Sequence, residues 1–429
     1  MKRVVVTGMG AVTPFGFGVD TLWESLLKSK NGITKISHLN LKGDIIKIAG
    51  CLPEIDFEKY AKEDSSLFSY IPEDDSIKSF FMAVYEALNQ AGIDPRKMDS
   101  TDRIAVCIAD RKMGLINYID QYAPFLKASK LEKGFDNDKY YELLKPLRLG
   151  KDTYFDDPDS INHFVSRNYN ITGPQLSIAT ACASGNNSIG EAFFKIQHGY
   201  VDAAIVGGAY NLDINSMIGF TRIGALTANP DPETACRPFD KNRDGFVMGS
   251  GCGALILESL ESAIKREANI IGEILGYGYL SDAYRSTDPD PEAKIATATI
   301  DSCLKMAKVS PAEVGYINAH GTSTKMNDLT ETNAIKNVFK DDAYRVPISS
   351  TKSMIGHSIM AAAAIESIVC LKTINEGVIH PTRNWRERDP ELDLDYVPDQ
   401  PREVKLDYVL SNSFGFGGQN TSILFGKFK

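Results

Sequence analysis

Two spacings of apolar residues alternate along this chain. Short β-branched or apolar runs occur at residues 4–7, 104–108, 204–206, 254–257, 316–318 and 409–411, the pattern of strands buried on both faces. Between them, apolar residues recur every three or four positions at 21–29, 76–91, 260–266, 291–307 and 328–339, which predicts amphipathic helices. Strands alternating with helices define an α/β protein with largely buried sheets.

The two halves echo each other. Leu176-Ser177-Ile178-Ala179 reads as a strand that ends near Cys182 and passes into the small-residue segment 187–192; Pro347-Ile348-Ser349-Ser350 ends near Lys352 and passes into 360–366. Small side chains let a helix pack closely between sheets, so one reading is a duplicated fold with buried central helices. The other is a coincidence of two alanine-rich helices. No Pro/Ser-rich linker separates independent domains.

The chain has 429 residues, 43% hydrophobic and 24% charged, enough for two packed domains or one large duplicated fold. A formal net charge of -9 excludes wholesale nucleic-acid binding. The start, Met1-Lys2-Arg3-Val4-Val5-Val6-Thr7-Gly8, runs into a strand and then a glycine turn, leaving no signal-peptide core. No apolar run reaches the roughly 18 residues of a membrane span. Seven scattered cysteines without a C-x-x-C pair argue against disulfides or zinc and for a reducing cytoplasm. The segment Gly8-Met9-Gly10-Ala11-Val12-Thr13 lacks the third glycine of a dinucleotide fingerprint, so NAD binding is discounted.

Three distant segments carry reactive residues. Thr180-Ala181-Cys182-Ala183-Ser184-Gly185 sets a cysteine among small residues just before a predicted helix, whose unpaired N–H groups favour a thiolate. Taken alone, such a cysteine is more often a small core residue. Asn318-Ala319-His320-Gly321-Thr322 and Lys352-Ser353-Met354-Ile355-Gly356-His357 add two histidines in glycine-flanked turns, out of six in the chain. A core histidine bonded to a carbonyl is the usual alternative for each. The three together supply a nucleophile and two neutral imidazoles able to act on a carbonyl oxygen. Without a His-x-x-x-His pair, no metal is expected. A fourth segment, Asn412-Ser413-Phe414-Gly415-Phe416-Gly417-Gly418-Gln419-Asn420, reads as an oxyanion-binding loop or as a hairpin turn.

These segments, with Val4–Gly10 and residues 237–247, resemble the β-ketoacyl-acyl carrier protein synthases of the thiolase superfamily, especially the KAS II type, in order and over nearly the whole chain. The resemblance implies a duplicated αβαβα five-layer fold, here divided into residues 1–259 with the cysteine and 260–429 with both histidines, usually as a dimer. It implies decarboxylative condensation: Cys182 takes an acyl group from a carrier-bound thioester, His320 and His357 stabilise the enolate of a malonyl-acyl carrier protein, and a 3-oxoacyl-carrier protein two carbons longer results. Lys352 organises the site through Glu366. Phe416 supplies an oxyanion N–H and a gate, with Gly417 beside it. Asp328 is structural, Thr322 and Thr324 hold the phosphopantetheine arm, and Phe414 and Gly418 line the substrate path. No metal or resident cofactor is implied, the phosphopantetheine arm belonging to the acyl carrier protein.

The chain departs from the family where carrier and acyl chain are chosen. Residues 65–75 are acidic rather than basic, Gly224 stands where a basic contact is expected with Arg222 nearby, and the stretches after Ile108 and at 122–159 differ in composition. Two settings stay open: fatty-acid elongation by a homodimer, or a type II polyketide or aryl-polyene system in which the chain is the active partner of a chain-length factor. A thiolase needs a second cysteine near the C-terminal glycine loop, which contains none, and a non-catalytic scaffold needs no Cys182.

Overall fold

The computed structural model describes residues 1–37, 47–57, 60, 64, 75–110, 127, 129–130, 134–144 and 160–429. Residues 65–74, Arg111–Met113 and much of 122–159, where the sequence departs from the family, lie outside the described residues.

Ten strands and six helices carry the architecture. In the first half they run β1 (Val4–Thr13), α1 (Asp75–Ala91), β2 (Ile104–Ala109), α2 (Ser160–Asn168), β3 (Gln175–Ile178), α3 (Ser184–Gln197), β4 (Ala203–Tyr210) and β5 (Gly251–Ser259). In the second they run β6 (Gly272–Ser281), α4 (Lys294–Ala307), β7 (Val314–Asn318), α5 (Lys325–Phe339), β8 (Ile348–Ser349), α6 (Ala362–Glu376), β9 (Tyr408–Gly415) and β10 (Gln419–Gly426). The strand order is β3-β2-β4-β5-β1 in one half and β8-β7-β9-β10-β6 in the other. Even the directions repeat. The pairs β2–β3 and β2–β4 are parallel, as are β7–β8 and β7–β9, while the last two pairings of each half are antiparallel. The echo between the halves is therefore a duplication of topology.

The halves meet edge to edge where Val4–Val6 of β1 pairs with Gly272–Ile274 of β6. Helices α3 and α6 pack against each other and against strands of both halves, α1 and α2 cover one outer face, and α4 with α5 covers the other, giving five layers. The central layer depends on small residues: a Cβ at Gly185 of α3 would lie 2.7 Å from the backbone nitrogen of Ala364 in α6. Burial of α6 is nearly complete, from Ala362 to Leu371, as its apolar composition on every side requires.

The predicted strands and helices overlap observed ones, although the helices expected at 21–29, 260–266 and 291–307 span Val19–Leu27, Leu260–Lys265 and Lys294–Ala307, and two larger corrections apply. The expected glycine turn after Thr7 does not occur, because β1 continues to Thr13. Gly8 and Gly10 instead admit α1: added Cβ atoms would lie 2.0 Å from the Ala87 carbonyl oxygen and 1.9 Å from that of Ala83. The strand β6 was not foreseen, since its glycines break the apolar run.

Candidate active site

At the end of β3 the chain turns through a single 3-10 turn, Ala181–Ala183, before α3 begins. Ala181 has φ of 51°, a left-handed conformation that is costly for alanine and persists only where surrounding bonds enforce it. The Ser184 hydroxyl accepts from the Thr180 N–H at 2.8 Å and donates to the Ala181 carbonyl at 2.6 Å. From β9 the Ser413 hydroxyl donates to the Cys182 carbonyl at 2.8 Å. These bonds hold Cys182 with its thiol at the floor of a cleft of about 470 Å³.

Two imidazoles face that thiol. The Ile359 N–H donates to His357 Nδ1 at 3.2 Å, so in the neutral ring the proton sits on Nε2, which lies 3.0 Å from Cys182 Sγ. His320 packs edge-to-face on His357, with ring centroids 5.3 Å apart. Donor atoms of Cys182, His320 and His357 all lie within 4.8 Å of one another. Burial first, and the Lys352 charge second, hold both histidines well below the usual imidazole pKa, so both are neutral hydrogen-bond donors. The same tautomer opposes a metal, because an ion on His357 Nε2 would need a proton on Nδ1, where the Ile359 N–H already points.

The expected lowering of the cysteine pKa is corrected by the structure. Burial pushes the Cys182 thiol up to about 12, against the pull of the Lys352 charge and of backbone N–H groups of Phe416 and Cys182 itself. Desolvation outweighs the helix terminus. Those two N–H groups nevertheless converge on the sulfur, the arrangement that would meet an oxyanion formed there.

The remaining predicted residues fall into two sets. Thr322, Thr324, Phe414, Phe416 and Gly418 line the cleft. The Thr322 and Thr324 hydroxyls are 3.0 Å apart, and Thr324 also caps α5. Phe416 sits in the turn between β9 and β10 with its ring 5.9 Å from that of Phe220, and Gly417 and Gly418 follow with φ of 79° and 76°, open to glycine at little cost. Behind the cleft wall, Lys352 Nζ donates to Glu366 Oε1 at 2.6 Å, both side chains almost fully buried. Asp328 accepts from the Phe239 N–H at 2.8 Å and lies 3.6 Å from the Arg243 guanidinium, fastening residues 237–247 beside the site. Gly224 lines the cleft and Arg222, exposed, ends the helix Ile214–Arg222.

One residue of the site escaped the sequence reading. Both carboxylate oxygens of buried Glu331 accept backbone N–H groups of the histidine turn, from His320 at 2.9 Å and from Gly321 at 2.8 Å. The available signal was a second acid three positions after Asp328, on the same face of α5.

A cysteine at a strand-to-helix turn, opposed by histidines of a duplicated second half, defines a thiolase-like condensing enzyme. Residues 1–263 match the family model "Beta-ketoacyl synthase, N-terminal domain" and residues 271–386 match "Beta-ketoacyl synthase, C-terminal domain". The chain is 39% identical over 429 residues to 3-oxoacyl-[acyl-carrier-protein] synthase 2 of Staphylococcus aureus (strain COL), covering 100% of this chain and 99% of that one. Among solved structures, it resembles a type II polyketide acyl carrier protein in complex with its ketosynthase bound to the hexaketide (TM-score 0.85, 32% identity, 100% of both chains). It also resembles the ishigamide ketosynthase/chain length factor (TM-score 0.84, 31% identity, 100% of both chains). The chain belongs to the β-ketoacyl synthase family and is a ketosynthase of the acyltransferase class. Among the described residues no helix is long and apolar enough to cross a membrane.

Proposed function

We propose that the chain joins an acyl group to a two-carbon unit from malonyl-acyl carrier protein, with residues 1–259 providing the nucleophile and 260–429 the histidines. The approach of His357 Nε2 to Cys182 Sγ at 3.0 Å, under two backbone N–H groups, carries this reading. The carrier's phosphopantetheine arm enters along Thr322 and Thr324, past Phe414 and Gly418. Cys182 Sγ attacks the thioester carbonyl, its proton passing on to the carrier sulfur as that group departs, and the oxyanion is met by the N–H groups of Cys182 and Phe416, each typically worth about 3 kcal/mol. The carrier thiolate leaves, protonated, and Cys182 holds the acyl group.

Malonyl-carrier protein then binds. Its carboxylate leaves as carbon dioxide, the electron pair passes into an enolate, and neutral His320 and His357 donate hydrogen bonds to the enolate oxygen. The enolate carbon attacks the Cys182 thioester and expels the Cys182 thiolate, which takes up a proton from water, giving the 3-oxoacyl-carrier protein. Lys352, paired with Glu366, sets the electrostatics; Asp328 holds the supporting segment; Phe416, on its glycine turn at Gly417, swings to order the two substrates. The enzyme brings no cofactor of its own, and the reaction belongs in the cytoplasm.

The likeness to polyketide ketosynthases favours a second setting, in which the chain, retaining Cys182, is the active member of a pair with a chain-length-factor subunit. The test of both is intact-mass analysis with a panel of acyl-carrier substrates followed by malonyl-carrier protein, with Cys182→Ala as control. An adduct lost in the variant and discharged as a product two carbons longer supports the reaction. A fully active dimer of the chain alone excludes the paired setting.

A further inference from the structure

His380 lies just after α6, is wholly buried, and touches no part of the cleft. Its Nδ1 is 3.0 Å from the Pro381 carbonyl oxygen, which can only accept, so Nδ1 carries the proton and Nε2 is an acceptor. Around Nε2 converge the Thr351 hydroxyl at 3.1 Å, the Tyr316 and Ser349 hydroxyls each at 3.3 Å, and the Asn318 amide nitrogen at 3.4 Å. Asn318 Nδ2 also donates to Thr351 Oγ1 and to Tyr316 OH, each at 3.1 Å. Every one of these side chains is fully buried.

The two chain segments so joined are the ones that present the second half's reactive groups. Asn318 ends β7 two residues before His320, and Thr351 directly precedes Lys352. The residues after His380 continue the same attachment. Thr382 Oγ1 accepts from the Ser350 N–H at 3.1 Å, the Arg383 N–H donates to Ser353 Oγ at 3.0 Å, and Asn384 Nδ2 donates to the Cys236 carbonyl at 2.9 Å. Cys236 in turn meets the Lys352 carbonyl, with Sγ 3.1 Å away. Residues 380–384 thus form a strap beneath the site.

We infer that His380 is a positioning residue for the condensation: as the acceptor of the Thr351 hydroxyl, which itself accepts from Asn318, it locks the His320 turn and the Lys352 turn in register with each other. Only one group in the cluster lacks a donor of its own at the meeting point, and that is Nε2. Tyr316 OH and Ser349 Oγ, 2.7 Å apart, can serve each other, but an apolar side chain at 380 leaves the buried Thr351 hydroxyl without this acceptor and frees the two turns to shift independently. Acyl transfer to Cys182 depends less on that register, since Cys182 is pinned by Ser184 and Ser413, and His357 by the Val247 carbonyl and the Ile359 N–H.

This inference rests on the roles proposed above for His320 and Lys352, and the experiment separates the two. Acylation of Cys182 is followed by intact mass in the native chain and in His380→Leu. Carbon dioxide release from malonyl-carrier protein is followed in Cys182→Gln with and without His380→Leu. Expected are acylation within about threefold of native and decarboxylation down on the order of 10²-fold, the cost of misplacing reacting groups by about 1 Å. His380→Gln, which can present an oxygen acceptor, restores most of the loss. Equal losses in both half-reactions, or none in a folded His380→Leu protein, overturn the inference. If His380→Leu does not fold, Thr351→Val removes the same bond from the other side, and the same split decides. A native chain that takes no acyl group, together with a Cys182→Gln chain that releases no carbon dioxide, refutes the underlying reading instead.

Discussion

The two strand-to-helix junctions of the duplicated fold start from the same topology and do different work. In the first half, β3 passes to α3 through one tight turn, and the residue in that turn is Cys182. In the second, the passage from β8 to α6 carries a short helix of its own, Lys352–Ile355, then Gly356 and His357. The short junction presents one side chain at a helix start. The longer one presents a cation toward Glu366 and an imidazole toward the opposite half. Duplication supplies a common floor, and the difference in junction length places complementary groups on its two sides.

Removing the short junction's one reactive group is the severest break. Cys182→Ala should abolish acyl transfer, a loss of at least ~10⁴-fold, because among the described residues no other nucleophile stands at the proposed oxyanion N–H groups. Cys182→Gln should leave decarboxylation, which uses the second half's groups. Mass spectrometry and carbon dioxide release read the two, and condensation retained in either variant would sink the assignment.

On the longer junction and its neighbour β7–α5 turn, single imidazole removals are milder. His320→Ala should lower decarboxylation by about 10²–10³-fold, the usual cost of one donor to a developing oxyanion, with acylation less affected than in His357→Ala because His357 Nε2 lies within hydrogen-bond distance of the sulfur, at 3.0 Å. Steady-state and single-turnover rates distinguish them, and the reverse order would break the division of labour.

The comparison also bears on stability. Lys352 and Glu366 form a buried pair, and burial pushes Glu366 up to about 7 despite the Lys352 charge. Lys352→Met should cost about 3–5 kcal/mol in urea unfolding, because it leaves the carboxyl without its partner, while Lys352→Met with Glu366→Leu should recover much of this. If the double variant is no more stable than the single one, the pair is more than an electrostatic device.

What the sequence made legible follows the same division. Strands of unbroken β-branched residues, the small-residue central helices and the segments around Cys182, His320 and His357 were readable because each signal is local. The glycines at 8 and 10 were misread as a turn because their reason is the approach of α1, far along the chain. The thiol pKa was misjudged because a helix terminus is visible in sequence and the burial of Cys182 is not. Glu331 and His380 were missed for a related reason: each acts by bonding a turn contributed by another element, and nothing local marks the partner.

Glu331 offers the mildest test of how the histidine turn is held. Its carboxyl is raised from the ordinary glutamate value to about 7, by burial first, with the Gly321 and His320 N–H groups pulling it back. A folded pKa above the unfolded one means that the folded state binds the extra proton between pH about 4.5 and 7, so this contribution to stability is present below that window and is lost as pH rises through it. The full swing is about 3 kcal/mol at most. Glu331→Gln removes the titration but substitutes an amide nitrogen for one oxygen, leaving one turn N–H facing a donor. The variant should therefore be less stable than the native chain at pH 5, and the gap should narrow or close by pH 8. Thermal unfolding of both proteins across that range reads the difference, and a gap that stays constant would mean that the carboxyl does not titrate there and that the turn is held by Glu331 as a permanent carboxylate.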